Sequence, residues 1–172
     1  MKNYFSVNCM VERNKSNLNL NFHLIKPHHL QQMKEIWNQY YDILRSSKRK
    51  HTLESLTEWF KNRYNDNHEY YGLSIAGILV GFVIIREPNT STNILWIKMF
   101  AIDKKFQSRG YGTFVVNTLK SKFPHRQIKL ECFIRNFHAL NFFINHGFKI
   151  IEYKKKHREY ILKLEKKPKK EC

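Results

Sequence analysis

Residues 94–119 constrain the fold of this chain more than any other stretch. Ile94-Leu95-Trp96-Ile97-Lys98-Met99-Phe100-Ala101-Ile102 is almost unbroken in apolar character, the pattern of a central strand buried on both faces. Tyr111, Phe114, Val115, Thr118 and Leu119 then recur at helical spacing and mark the buried face of a helix. Between the two lies Gln107-Ser108-Arg109-Gly110-Tyr111-Gly112, a basic turn with no acidic residue after Asp103. The first turn of a helix exposes unpaired N–H groups and a partial positive charge. Glycines there admit backbone angles other residues resist and let a ligand approach closely. Such a turn can cradle a phosphate, with Arg109 adding a fixed charge and Gln107 a neutral donor. Turns of this kind also occur wherever a strand must pack tightly on a helix. Two familiar phosphate motifs are excluded. The P-loop needs Gly-Lys-Ser/Thr, and the dinucleotide fingerprint needs a glycine where this chain has Val115.

The flanking pattern alternates helices and strands. Residues 17–25 alternate as a first strand, and Pro27 opens a helix with Leu30, Met33, Ile36, Trp37, Tyr40, Tyr41 and Leu44 along one stripe. Thr52 can cap a second helix that buries Leu53, Leu56, Phe60 and Tyr64. Residues 70–76 and 78–85 read as a hairpin around Gly77, followed by a loop at 88–92. After the glycine turn and its helix, Phe123-Pro124 ends the helix, and Ile128, Leu130 and Cys132 alternate as another strand. Asn136 begins a helix that stops at Gly147, and residues 148–153 and 159–164 close the chain as a strand pair. The expected fold is a mixed α/β (α+β) layout: a sheet of about six to seven strands covered by about four helices. Residues 1–16 read as a polar N-terminal extension, 17–165 as one domain, and 166–172 as a basic tail.

No apolar run approaches the roughly 20 residues of a membrane span. The polar N-terminus does not resemble a signal peptide, so a cytoplasmic protein is expected. Cys9, Cys132 and Cys172 form no paired spacing, and the nine histidines are scattered, so neither a disulfide framework nor a metal site is expected. The formal net charge of +17 favours anionic partners, although Lys154-Lys155-Lys156 and the tail lysines supply much of the excess as solvated ends.

A second segment lies some way downstream of the glycine turn: Asn136-Phe137-His138-Ala139-Leu140-Asn141-Phe142-Phe143, then Gly147-Phe148. In this order the two motifs resemble the GNAT superfamily of acyl-CoA-dependent N-acyltransferases, over residues 18–165. The resemblance implies that the backbone of Gln107, Ser108, Arg109, Gly110, Tyr111 and Gly112, with Thr113, holds the CoA pyrophosphate. It implies a splay between the strand ending Phe100-Ala101-Ile102 and the 128–133 strand. Pantetheine would lie in that gap, bonded to backbone near Phe100 and Ile102, with a strand N–H polarising the thioester carbonyl. Asn136 would bond the CoA arm, a role compatible with capping its helix. The implied activity is transfer of an acetyl group from acetyl-CoA to a primary amine by direct attack, without a metal.

The chain departs from the family at two positions. The family commonly has tyrosine at Phe143, to protonate the departing thiolate, and some members carry glutamate at Trp96. A thiol pKa of about 8.5 makes thiolate a tolerable leaving group without that acid. Glu131 is the candidate base nearest in sequence to the cleft, and its alternative is an ordinary surface charge. Tyr40, Tyr41, Tyr70 and Tyr71 could line the acceptor side or pack in the core. Two other functions fit the residues: a CoA-binding module that has lost catalysis, and a transferase or binder acting on RNA or ribosomal substrates. No RNA-binding motif is recognisable. A strongly basic protein repels polyamines, which disfavours spermidine-like acceptors. Acidic small molecules, peptide N-termini and drug amines remain open, as do monomer and homodimer.

Overall fold

The computed structural model describes residues 20–44, 50–62, 67–87 and 93–165. The expected N-terminal extension, the start of the first strand, Tyr64, the 88–92 loop and the C-terminal tail lie outside the described residues. The strands are β1 (Leu20–Leu24), β2 (His68–Ile75), β3 (Ile78–Arg86), β4 (Ile94–Ile102), β5 (Gln127–Phe133), β6 (Phe148–Lys154) and β7 (Glu159–Leu164). The helices are α1 (Leu30–Asn38), α2 (Tyr41–Leu44), α3 (Leu53–Asn62), α4 (Tyr111–Lys122) and α5 (Phe137–Asn145). All strands join one seven-stranded sheet in the order β1-β2-β3-β4-β5-β7-β6.

The sheet separates two cores. On one face α4 and α5 bury Val115, Val116, Leu119, Leu140 and Phe143 against Leu95, Ile97, Leu130 and Leu162. On the other, α1 and α3 bury Met33, Ile36, Trp37, Leu56 and Phe60 against Phe82, Ile84, Met99 and Ala101. β4 contributes to both, as its double-sided apolar sequence requires. The β2–β3 turn has positive φ at both Ala76 (48°) and Gly77 (81°), the primed geometry that matches strand twist in a two-residue hairpin.

Two features are not visible in the sequence pattern. The expected helix from Pro27 to Leu44 is broken. Pro27–His29 is 3-10, α1 stops at Asn38, and the chain tightens through Gln39 and Tyr40 before α2. The break follows from tertiary anchors. The Gln39 side chain accepts from the Lys104 N–H, and the Tyr40 hydroxyl donates to the Ile102 carbonyl. The closing strands are also placed out of sequence order: β7 inserts between β5 and β6, leaving β6 at the edge. Ile150, Ile151 and Tyr153 of β6 are consequently exposed.

Candidate functional site

The β4–β5 pairing is the only parallel one in the described sheet, and it is short. It runs from Ile94↔Gln127 to Ile97↔Leu130 and stops. Beyond that point β4 pairs only with β3, out to Ile102↔Gly81, while β5 pairs with β7 out to Phe133↔Glu159. The expected splay between the strands is therefore present. Its cause is a bulge. Ile84 faces Met99 and Ile85 faces Ile97, so Lys98 is an extra residue in β4. The extra residue shifts the facing of the strand by one. Leu95 and Ile97 point to the α4/α5 core, but Met99 and Ala101 point to the α1/α3 core. Phe100 and Ile102 are thereby turned to the α4/α5 side.

Backbone direction follows from one hydrogen bond. The Asp103 N–H donates to the Val80 carbonyl at 2.9 Å. In an antiparallel ladder bonded and unbonded positions alternate. The polar backbone groups of Ile102 and Phe100 thus point away from β3 and into the gap, while those of Ala101 point to β3. The Ile102 carbonyl already accepts from Tyr40, whose hydroxyl in turn accepts from the Gln107 amide at 2.5 Å. Burial pushes the Tyr40 hydroxyl pKa up to about 12, against the opposing hydrogen bond from Gln107, so Tyr40 stays neutral.

At the end of the gap lies the glycine turn. Asp103 caps the 3-10 segment Lys104–Phe106, accepting from the Lys105 N–H. Gln107 is extended, Ser108 has φ 58°, and Gly110 has φ 82° at the start of α4. Gly110 offers no side chain to cap the helix, and the first turn of α4 carries no acidic residue. The N–H groups of the first turn thus have no side-chain cap at Gly110. Arg109 is exposed, with its guanidinium 5.6 Å from the Phe106 ring. The two glycines differ in purpose. Gly110 is required by its positive φ, whereas a Cβ at Gly112 would stand 3.1 Å from the Phe142 ring. Gly112 therefore serves the close approach of α4 to α5. Tyr111 packs against the α4/α5 core. Thr113 meets His146 Nε2 at 3.0 Å, while His146 Nδ1 meets the Phe142 carbonyl at 2.7 Å. A carbonyl only accepts, so Nδ1 carries a proton. His146, absent from the sequence-derived site, ties the two helices together at the turn.

Asn136 is the N-cap of α5, accepting from the Ala139 N–H at 3.2 Å, and its amide N–H groups are not used in that cap. Phe143 is buried (6% exposed) among Phe100, Phe142 and Phe148, with ring centroids 5.2 to 6.0 Å apart. It offers no proton. Glu131 is held between two lysines: Lys154 Nζ at 2.5 Å and Lys98 Nζ at 3.5 Å. Burial raises its carboxyl pKa, but the Lys154 hydrogen bond and the Lys98 and Lys154 charges outweigh that and leave it below its ordinary value. A carboxylate so stabilised is a poor proton acceptor. Trp96 lies beside it on the same face, with the ammoniums of Lys98 and Lys129 each 5.9 Å from its ring. Tyr70 and Tyr71 are buried in the two cores. Cys132 is a buried thiol, pushed up to about 12 by burial and the Glu159 charge. Among the described residues no group of His, Cys, Asp and Glu is placed to hold a metal ion, and no helix is long and apolar enough to cross a membrane.

Comparisons with known proteins agree with this geometry. The family model described as acetyltransferase (GNAT) family matches residues 30–148. No curated protein sequence matches the chain. Among solved structures, an acetyltransferase from Thermus thermophilus aligns with a TM-score of 0.74 at 14% identity, covering 85% of this chain and 96% of that one. The PaiA N-acetyltransferase of Thermoplasma acidophilum in complex with coenzyme A gives 0.70 at 12%, covering 87% and 100%. A Vibrio cholerae spermidine N-acetyltransferase in complex with CoA and spermine gives 0.70 at 14%, covering 84% and 92%.

Proposed function

The chain belongs to the GNAT acetyltransferase family, and on that premise we propose that it transfers an acetyl group from acetyl-CoA to a primary amine, with residues 17–165 as the catalytic domain. The observation that carries the reading is the continuity of two features: the β4–β5 gap and, at its end, an uncapped helix N-terminus behind a left-handed Gly110. Phosphate and extended arm of one ligand would find adjacent sites there. The fit of CoA rests on the first-turn N–H groups of α4 and Arg109 for the pyrophosphate, and on the gap-facing backbone of Phe100 and Ile102 for the arm. The free amide N–H groups of Asn136 lie at the start of α5 for the same arm. Acetyl-CoA supplies an activated thioester. The chain supplies orientation, and an unladdered strand N–H at the Lys98 bulge supplies a donor for developing negative charge on the thioester oxygen.

Proton handling falls to water in this proposal. Phe143 cannot donate, and the Glu131 carboxylate is held by two ammoniums. Thiolate tolerates the lack of an acid because its pKa lies near 8.5. The same two facts favour a second reading, a CoA-binding module with little turnover. Purified protein with acetyl-CoA and a panel of amines tests both, followed by melting temperature and free thiol. Stabilisation with acceptor-dependent thiol release is the expected result. Stabilisation without release for any acceptor would select the binding module, and no stabilisation would remove both.

A further inference from the structure

One face of the sheet is only partly covered. α1 and α3 lie over β2, β3 and the second half of β4, and among the described residues no helix covers β5, β7 and β6 on that side. The burial of β5 alternates accordingly, with Ile128, Leu130 and Cys132 buried and Lys129, Glu131 and Phe133 only partly so. Register places one residue from each strand of this face in a straight line. Arg86 of β3 pairs with Trp96 of β4, Trp96 with Lys129 of β5, Lys129 with Lys163 of β7, and Lys163 with Lys149 of β6. At a strand spacing of about 4.8 Å the line is about 19 Å long. It holds four cations and one indole. Lys129 and Lys163 are directly opposed, as are Lys163 and Lys149, an arrangement that repels in isolation. Among the described residues only Lys149 of the four is in an ion pair, with Glu165 at 2.6 Å. Of the acidic residues on this side, Glu165 is paired with Lys149, while Glu131, Glu152 and Glu159 lie in the following rows and Glu131 is taken up by Lys98 and Lys154.

We propose that this row is a docking surface for a single-stranded nucleic acid, which crosses the sheet with its phosphates on Arg86, Lys129 and Lys163 and a base against Trp96. Three arguments select that occupant. A line of like charges about 19 Å long matches an extended polyanion rather than one small anion, which needs one or two cations. A flat open sheet face bearing an aromatic ring between cations suits base stacking with backbone neutralisation. The formal charge of the whole chain, +17, has the required sign. The row adjoins the Lys98 bulge, where the β4–β5 gap opens, so a bound strand would lie beside the proposed acetyl-transfer site without blocking the α4 turn. The surface stands on its own geometry and does not require that transfer occurs.

The test is fluorescence anisotropy of a fluorescein-labelled oligouridylate titrated with the full chain over a series of potassium chloride concentrations. Three phosphate contacts predict a slope of log K against log salt of about −2. The double variant Lys129→Glu/Lys163→Glu should weaken binding by about tenfold or more, and Trp96→Ala by about tenfold. Lys34→Glu/Lys61→Glu on α1 and α3, with the same change in net charge, should change it by about twofold or less. The milder Lys129→Gln/Lys163→Gln pair keeps the test valid if charge reversal disturbs folding, which the melting temperature reports. CoA-induced stabilisation, measured on the same variants, should be unchanged, so failure of the transferase reading and failure of this one are separable. Equal losses in the two Glu pairs would reduce the effect to bulk charge and overturn the proposal. So would an unlabelled polyglutamate that competes as well as RNA, or an absence of binding at low salt.

Discussion

Single residues at the turn do different jobs, and substitutions separate them. Gly110 sits at φ 82° with open space around a would-be Cβ, so Gly110→Ala is penalised by backbone strain alone. The expected cost is about 1–2 kcal/mol in urea denaturation, with weaker CoA binding as the turn relaxes. Gly112→Ala instead presses on Phe142, and its loss should be relieved in part by Phe142→Leu, which a double-mutant cycle reads. Tyr40 shows how a residue that reads as part of an aromatic stripe becomes a strut. Tyr40→Phe removes its bonds to Ile102 and Gln107 and should cost about 1–2 kcal/mol of stability. The CoA dissociation constant should rise with it, because Gln107 loses its anchor. Phe143 is a core plug, and Phe143→Ala should cost about 3–5 kcal/mol by chemical denaturation. The family motif marks the position of Phe143 but not its surroundings. The Phe100, Phe142 and Phe148 rings around it come from three separate elements.

At the scale of elements, strand parity and local charge decide behaviour. The bulge at Lys98 lets one nine-residue strand feed two cores and release β5 at the same point. Apolar residues run on through both halves of β4, so its composition does not reveal this shift. Element identity was therefore legible, while the splay had to be inferred from resemblance. The first helix departs from its sequence pattern for a related reason: periodicity continues through Tyr40 and Tyr41, and only the tertiary bonds of Gln39 and Tyr40 break it. The β1–α1 junction carries a titration signal. Burial, then the charges of His23, His28 and Lys26, lowers His29 from 6.5 to about 4. The unfolded chain then binds more protons than the folded one between those values. Stability should fall as pH drops from 6.5 toward 4 and level off below. Urea midpoints compared across that range should differ less in His29→Gln than in the parent chain.

For the whole molecule, one sheet shared by two cores predicts cooperative unfolding. Trp37 and Trp59 report the α1/α3 side, and far-UV dichroism reports the whole sheet, so their urea transitions should coincide. Ligand linkage acts on the same unit. CoA at about a hundred times its dissociation constant should add about 2.7 kcal/mol and raise the melting temperature by about 5–10 °C. The order of elements, the central strand, the glycine turn and the capped second helix were determined by the sequence itself, because hydrophobic period and turn chemistry are local properties. The β7 insertion, the face carried by each half of β4, the capture of Glu131 by lysines and the alignment of Arg86, Trp96, Lys129, Lys163 and Lys149 were decided only by tertiary structure. Those residues come from strands far apart in the chain. A line across a sheet exists only once register is set, and register depends on bulges and strand order that no local pattern encodes.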